Sequence, residues 1–189
     1  MSPEPTPSQT IGPFFHDALL DADRSELIPP GHPHAVRIQG TVYDGAGEPV
    51  PDAMIEIWQA NGAGRYGDPK DEREDLPFDP ETFSGFGRFG TDAGGKYSFV
   101  TLKPGPVPGP DGGLQAPHIM VSVFARGLLK RLVTRIYFPD EEEANAQDPV
   151  LASIEDQEFR RTLVAREEGG ALRFDVHLQG DNQTAFFDL

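Results

Sequence analysis

The feature that most limits the fold of this chain is a series of short apolar runs separated by glycine and proline. In the first run Val36, Ile38 and Val42 alternate with polar side chains, which is the period of a half-buried β-strand. Further runs of similar length lie at 53–59, 96–101, 118–125, 132–138 and 171–179. The 21 glycines and 19 prolines follow no period, as is typical of turns between short strands. We predict an all-β chain folded as a β-sandwich.

The N-terminal segment differs from the rest of the chain in its proline content. Prolines stand at positions 3, 5, 7, 13, 29, 30 and 33, too many for a helix or a central strand. We therefore predict an extended N-terminal arm over residues 1–35 and a β-sandwich domain over residues 36–189. A chain of 189 residues, 37% of them hydrophobic, is long enough for one core and short for two.

One helix is predicted after Asp148. This residue can cap a helix in which Pro149 occupies the first position, and Gly169-Gly170 is expected to end it. The apolar positions of this helix are Leu151, Ile154 and Leu163. A short acidic turn is expected at 141–147, so the sandwich carries one or two short helices.

The charge and the composition exclude several classes of function. With 16 basic and 31 acidic residues the net charge is −15, which repels nucleic acid and anionic membrane surfaces. The chain has no cysteine, so a metal would have to be held by oxygen or imidazole. No apolar run approaches the roughly 18 residues that span a bilayer, and the N-terminus lacks a signal-peptide pattern. We expect a cytoplasmic protein without nucleic-acid or membrane partners.

Residues 55–66, with the sequence IEIWQANGAGRY, resemble the signature of the intradiol aromatic-ring dioxygenases, enzymes that cleave catechols between their two hydroxyls. Further blocks match that family in the same order: Gly87-Arg88, Thr91-Asp92, Lys103-Pro104-Gly105, 116–119 and 131–138. Residues 8–15 and 185–189 resemble the alpha subunit of those family members that cleave protocatechuate and are built from two kinds of subunit, alpha and beta. The resemblance covers nearly the whole sequence.

The resemblance implies a β-sandwich of the intradiol dioxygenase type, in which two tyrosines and two histidines hold one ferric ion. Phenolate and imidazole suit this hard cation, and the metal-bound catechol is activated toward oxygen. Two of the ligands form a His-x-His pair, because the strand period of two places both imidazoles on one face.

This chain departs from the ligand pattern at two of its four positions. Tyr66 and His118 match one ligand tyrosine and one ligand histidine. Val107 stands where the second tyrosine is expected, and Met120, whose thioether is a poor ligand for ferric iron, stands where the second histidine is expected. We therefore predict that this chain holds no metal and that Fe(III) is bound by a partner beta subunit.

The resemblance also implies a role for residues outside the ligand pattern. Thr10, Gly12 and Pro13 match an alpha-subunit stretch that reaches into the active-site mouth of the beta subunit, and Arg126 matches an arginine that faces the substrate. We predict that these four residues bind substrate and that no residue of this chain is catalytic. The expected hetero-oligomer of alpha–beta pairs converts protocatechuate and O₂ to 3-carboxy-cis,cis-muconate, a step of the beta-ketoadipate pathway of aromatic degradation.

Two alternatives remain open at the level of sequence. In the first, the chain forms a homo-oligomeric intradiol dioxygenase whose ligand set is completed from the arm, for example by His32 and His34. In the second, the chain is a non-enzymatic, transthyretin-like binding or structural module that has kept only the sandwich. The iron content of the isolated chain separates the first alternative from the two-subunit enzyme, and co-purification with a catalytic partner separates the second.

Overall fold

The computed structural model describes residues 10, 12, 14–109 and 112–188 and has two main sheets. In chain order the elements are α1 (Phe14–Leu19), β1 (Ala35–Tyr43), β2 (Met54–Trp58), β3 (Phe86–Gly90), β4 (Lys96–Leu102), β5 (Val107–Pro108), β6 (Leu114–Gln115), β7 (His118–Phe124), β8 (Leu132–Tyr137), α2 (Glu142–Gln147), α3 (Pro149–Ala152), α4 (Gln157–Arg161), β9 (Arg166–Glu168), β10 (Ala171–Arg173) and β11 (Val176–His177). The predicted all-β sandwich is confirmed. Within the described residues no helix is long and apolar enough to cross a membrane.

The two sheets differ in the direction of their strands. One sheet is antiparallel throughout, in the order β3-β2-β7-β8. In the other sheet β1 pairs antiparallel with β4 and parallel with β10 and β11, and β9 pairs with β10. A small third sheet joins β5 to β6. Two of the four residues that match the ligand pattern, His118 and Met120, lie on β7 of the antiparallel sheet. The register of this sheet therefore determines where these candidate site residues lie.

The main core joins the inner faces of both large sheets. Its fully buried members include Ile38, Phe99, Ile55, Val121 and Ile136. Along β4 and β7 buried and half-buried residues alternate, because successive side chains of a strand point to opposite faces. The alternation seen in the sequence therefore identified the core-facing positions of these strands.

The run at 171–179 is two short strands rather than one. Asp175 interrupts it, because its carboxylate accepts a hydrogen bond from the Thr41 backbone N–H at 3.0 Å in place of a main-chain carbonyl. Beside it the Phe174 carbonyl accepts from the Tyr97 hydroxyl at 2.5 Å. Gly40 lies against this carbonyl so closely that a Cβ atom would be 1.8 Å from the oxygen. Glycine is therefore required at this position.

The helix predicted after Asp148 begins as expected but ends early. The Asp148 carboxylate accepts hydrogen bonds from the backbone N–H groups of Val150 and Leu151, both at 2.9 Å. The helix α3 ends at Ala152, and α4 begins after a second capping residue, Asp156. The prediction of one helix reaching Gly169-Gly170 is wrong, because these glycines, with φ of 61° and 79°, form the tight turn between β9 and β10.

The described residues contain four short helices instead of one or two. The predicted acidic turn at 141–147 is the helix α2, and α1 lies within the segment predicted as an extended arm. Further along this segment, Leu27 and Ile28 are buried in the main core. The Leu27 N–H donates to the Val100 carbonyl at 2.8 Å. The domain boundary at residue 35 stays a prediction, but residues 27 and 28 pack with the sandwich.

We expect Asp148→Ala to lower the free energy of unfolding by about 2–4 kcal/mol, measured by urea denaturation. Besides capping α3, the fully buried Asp148 carboxylate accepts from the Ala116 N–H at 2.8 Å and from the Tyr137 hydroxyl at 3.1 Å. Removing it leaves these buried donors without their partner.

The matched control is Asp156→Ala, which removes an exposed carboxylate that caps α4 in the same way. An exposed cap contributes about 1 kcal/mol. Equal losses in the two variants would show that Asp148 acts as a helix cap alone.

Candidate functional site

Four positions at one end of the antiparallel sheet correspond to the predicted ligand pattern: Tyr66, Val107, His118 and Met120. We call them the ligand positions. His118 and Met120 stand at the beginning of β7, and Met120 pairs in register with Trp58, the last residue of β2. Trp58 stacks on the Tyr66 ring with centroids 6.1 Å apart and 8° between the planes.

The loop that carries Tyr66 is held against the turn that precedes Val107. The Asn61 carbonyl accepts from the N–H groups of Gly64 and Gly105, both at 2.9 Å. Gly64 has a φ of 79°, and a Cβ atom there would be 2.2 Å from the Pro106 carbonyl oxygen. Tyr66, Val107 and Trp58 consequently line one cavity of about 390 Å³, so the structure brings two ligand positions together.

His118 is a buried, neutral histidine. His118 is 4% exposed, and its Nδ1 is 2.8 Å from the Ala116 carbonyl oxygen. Burial, reinforced by the positive charge of Arg135, lowers the pKa of His118 to about 4. Burial also raises the pKa of Tyr66. Near neutral pH the His118 imidazole and the Tyr66 hydroxyl are therefore both uncharged.

Arg135 is a charged residue beside the ligand positions that the sequence did not indicate as a candidate site residue. Its Nη1 donates to the Gln115 side-chain carbonyl at 2.7 Å and to the Tyr137 hydroxyl at 3.1 Å. Tyr137 in turn donates to the buried Asp148 carboxylate. Arg135 and Tyr137 are two residues apart on β8 and so share one face of the strand. This spacing is common to ordinary strand residues, so their polar roles have no distinct sequence signal.

The side chains at the ligand positions do not fit a ferric ion. Tyr66 and His118 offer two donors, Val107 offers none, and the Met120 thioether is soft. The Arg135 guanidinium adds a positive charge beside the two remaining donors. In the part of the chain that the structure describes, no three His, Cys, Asp or Glu side chains are grouped closely enough to hold a metal.

Arg126, predicted to bind substrate, lies beyond the opposite end of β7. The seven residues of this strand span about 20 Å at ~3.3 Å per residue. The Arg126 side chain is 61% exposed and forms an ion pair with Asp52. The same side chain therefore cannot reach the ligand positions of its own chain.

The N-terminal segment approaches the same end of the sheet as Arg126. The Phe15 ring lies 6.3 Å from that of Phe124, the last residue of β7, and the Leu19 carbonyl accepts from Arg88 on β3 at 3.2 Å. Two of the arm residues predicted to bind substrate, Thr10 and Gly12, precede this anchor. Thr10 is exposed and Gly12 is half-buried.

Pro13, the third arm residue of the prediction, lies outside the described residues. Gly12 is three residues from Phe15, which is at most about 10 Å of extended chain. Of the predicted substrate-binding residues, Arg126 thus lies at one end of the sheet, and the ligand positions lie at the other.

His32 and His34, the proposed replacement ligands, lie in the turn before β1. The His34 N–H donates to the His32 Nδ1 at 3.2 Å, and the two ring centroids are 6.0 Å apart. A ring nitrogen that accepts a backbone hydrogen bond is not available to a metal in that tautomer. Within the described residues, neither ring forms a hydrogen bond or an aromatic contact with a side chain at the four ligand positions.

Comparison with known proteins identifies relatives over nearly the whole chain. A family model described as Dioxygenase matches residues 10–180. The protocatechuate 3,4-dioxygenase alpha chain of Burkholderia cepacia is 41% identical, over 97% of this chain and 97% of its own length. The beta chain from the same organism is 39% identical, over 94% of this chain and 77% of its own length.

Among solved structures, the dioxygenase domain of a carbohydrate-binding fusion protein from Streptomyces sp. SirexAA-E is similar, with a TM-score of 0.59 and 27% identity. The match covers 94% of this chain and 99% of that domain.

The low pKa of His118 predicts a pH dependence of stability. Between its pKa of about 4 in the folded chain and about 6.5 in the unfolded chain, the unfolded state binds the extra proton. The contribution of His118 is therefore complete above pH 6.5 and is lost as the pH falls through 4. At pH 5 we expect this residue alone to lower the free energy of unfolding by about 2 kcal/mol relative to pH 7.

The measurement is urea denaturation at pH 5 and pH 7 for the parent chain, for His118→Gln and for His34→Gln. His118→Gln should reduce the difference between the two pH values. His34→Gln removes an exposed histidine and serves as the control. An unchanged difference in His118→Gln would show that this histidine is not held neutral by its burial.

Proposed function

The chain belongs to the dioxygenase family matched by residues 10–180, the intradiol ring-cleaving dioxygenases, and from this premise we propose that it works as the alpha subunit of a protocatechuate 3,4-dioxygenase. In this role it scaffolds the assembly and lines the active site, while a beta subunit holds Fe(III). The expected reaction joins protocatechuate and O₂ to give 3-carboxy-cis,cis-muconate in the beta-ketoadipate pathway.

One observation carries this proposal: the chain's remaining ligands, Tyr66 and His118, and its candidate substrate-binding arginine, Arg126, lie at opposite ends of β7. Tyr66 and His118 are near the beginning of this strand, and Arg126 follows its end, about 20 Å away. A metal and a substrate carboxylate on the same small catechol must be much closer than this. Arg126 is therefore suited to a substrate that another chain presents.

The comparisons support a partner of the beta-chain type. This chain is similar both to an alpha chain and to a beta chain of one organism, at 41% and 39% identity. Ferric iron in the partner supplies the chemistry of ring cleavage, and the side chains at the ligand positions of this chain do not fit it. We infer that the alpha chain keeps the fold for assembly. A cytoplasmic location stays a prediction.

The charge of the chain makes a local cation necessary. Protocatechuate carries a carboxylate, and the net charge of this chain is −15. Beyond a Debye length of about 8 Å at physiological salt the acidic surface is largely screened. Within contact distance, the planar guanidinium of Arg126 offers fixed donors to a carboxylate. Binding by Arg126 is therefore compatible with an acidic subunit.

The proposal is tested by steady-state kinetics on the reconstituted alpha–beta pair carrying Arg126→Ala. A lost hydrogen bond to a charged group costs about 1.5–3 kcal/mol, so we expect KM for protocatechuate to rise about tenfold to hundredfold. The contact is far from the reacting ring carbons and is similar in the ground and transition states, so kcat should change little. Catechol, which lacks the carboxylate, should show a smaller effect.

The matched control is Arg161→Ala, which removes another exposed arginine paired with one acidic side chain. Iron content and assembly are measured for both variants. An unchanged KM in Arg126→Ala, or an equal change for both substrates, would contradict a role of Arg126 in binding the carboxylate.

A further inference from the structure

Arg126 is held by an acidic partner that the sequence did not identify, Asp52. The register of β2 and β7 pairs Met54 with Phe124. Continued two residues past these strand ends, the same antiparallel register places Asp52 beside Arg126. At this extension the Arg126 Nε forms an ion pair with the Asp52 Oδ2. The contact joins two neighbouring strands at the end of the sheet that the N-terminal segment approaches.

The backbone on the Arg126 side is a defined turn. The Leu128 N–H donates to the Ala125 carbonyl at 3.3 Å, which closes a four-residue turn with Arg126 and Gly127 in its centre. Gly127 has a φ of 86°, a conformation that favours glycine at the third position of such a turn. Ala125 is buried. The base of the Arg126 side chain is therefore fixed.

The backbone on the Asp52 side is fixed by one buried hydroxyl. Thr91 Oγ1 accepts from the Ala53 N–H at 3.0 Å and donates to the Val50 carbonyl at 2.8 Å. The Thr91 N–H also donates to the Ala53 carbonyl at 2.8 Å. These bonds clamp the chain on both sides of Asp52, and the Asp52 side chain is 24% exposed. A half-buried carboxylate on a clamped turn is a rigid partner for Arg126.

The ion pair leaves most of the guanidinium available. Arginine has five N–H donors in a planar fork, and the ion pair with Asp52 involves only the Nε edge. Within the described residues, Arg126 forms no further ion pair, and its side chain remains 61% exposed. The terminal nitrogens can therefore bind an anion while Asp52 holds the Nε edge.

We propose that Asp52 is a positioning residue that orients the Arg126 guanidinium toward the substrate carboxylate. This inference rests on the proposed function, because it requires Arg126 to contact substrate. Two effects oppose each other: Asp52 fixes the orientation of a long side chain, and its negative charge repels the carboxylate. The carboxylate would bind the terminal nitrogens on the far side of the guanidinium. At this exposed site the high dielectric of water keeps the repulsion between the two carboxylates to about 1 kcal/mol or less, so we expect the ordering effect to prevail.

The test compares Asp52→Ala with Asp52→Asn in the reconstituted alpha–beta pair. Asp52→Ala removes the partner, and we expect KM for protocatechuate to rise about three- to tenfold with kcat unchanged. Asp52→Asn keeps the shape and an acceptor oxygen without the charge, and it should show a smaller rise. Asp52→Glu, which keeps the charge, should restore part of the affinity. With catechol all three variants should match the parent.

A charge-matched control is Glu158→Ala, which also removes one acidic partner of an exposed arginine and should leave KM unchanged. The double variant Asp52→Ala/Arg126→Ala should have the KM of Arg126→Ala alone, because Asp52 acts through Arg126. Melting temperature and iron content are measured for each variant. If Asp52→Ala does not fold, Asp52→Asn carries the test.

Three results would overturn the inference: a KM that falls in both Asp52→Ala and Asp52→Asn, which would mean that repulsion prevails; an unchanged KM; or an additive effect in the double variant. If Arg126→Ala itself leaves KM unchanged, the proposed role of Arg126 fails first. If Arg126→Ala raises KM and the Asp52 variants do not, the positioning role alone is wrong.

Discussion

The pairing of β2 with β7 is the constraint on which the rest of the account depends. In this antiparallel register Trp58 lies opposite Met120 and Met54 lies opposite Phe124, so the two strands together separate two groups of candidate site residues. A paired strand cannot shorten without losing its ladder of hydrogen bonds. The distance between His118, at the beginning of β7, and the turn that carries Arg126 is therefore a property of the fold.

Burial gives similar residue types opposite roles at the two ends of this strand pair. Arg135 is tied to Gln115 and Tyr137, and its charge, together with burial, keeps His118 neutral. Arg126 is mostly exposed and, within the described part of the chain, forms one ion pair, with Asp52. The hydrogen bonds of Arg135 stabilise a network within the fold, whereas exposed donors at a surface can bind an anion. The first end is suited to a structural role and the second to recognition.

The sequence predicted the strands of the sandwich because their alternation is local, and it predicted the cap at Asp148 because a cap is set by adjacent residues. It failed where the structure depends on distant partners. Asp175 divides the last predicted strand by bonding Thr41. The partner of Arg126 depends on the register of two strands, so no local pattern singles out Asp52. The resemblance supplied the ligand positions, and the structure supplied their separation from Arg126.

The central claim is that the iron used by the assembled enzyme is not held by this chain. The most direct measurement is the iron content of the reconstituted alpha–beta pair in which the alpha chain carries both Tyr66→Phe and His118→Ala. The account predicts the same iron content as in the parent pair, because the two replaced side chains are donors that no longer form a ferric site. A loss of iron in proportion to the altered chain would contradict it.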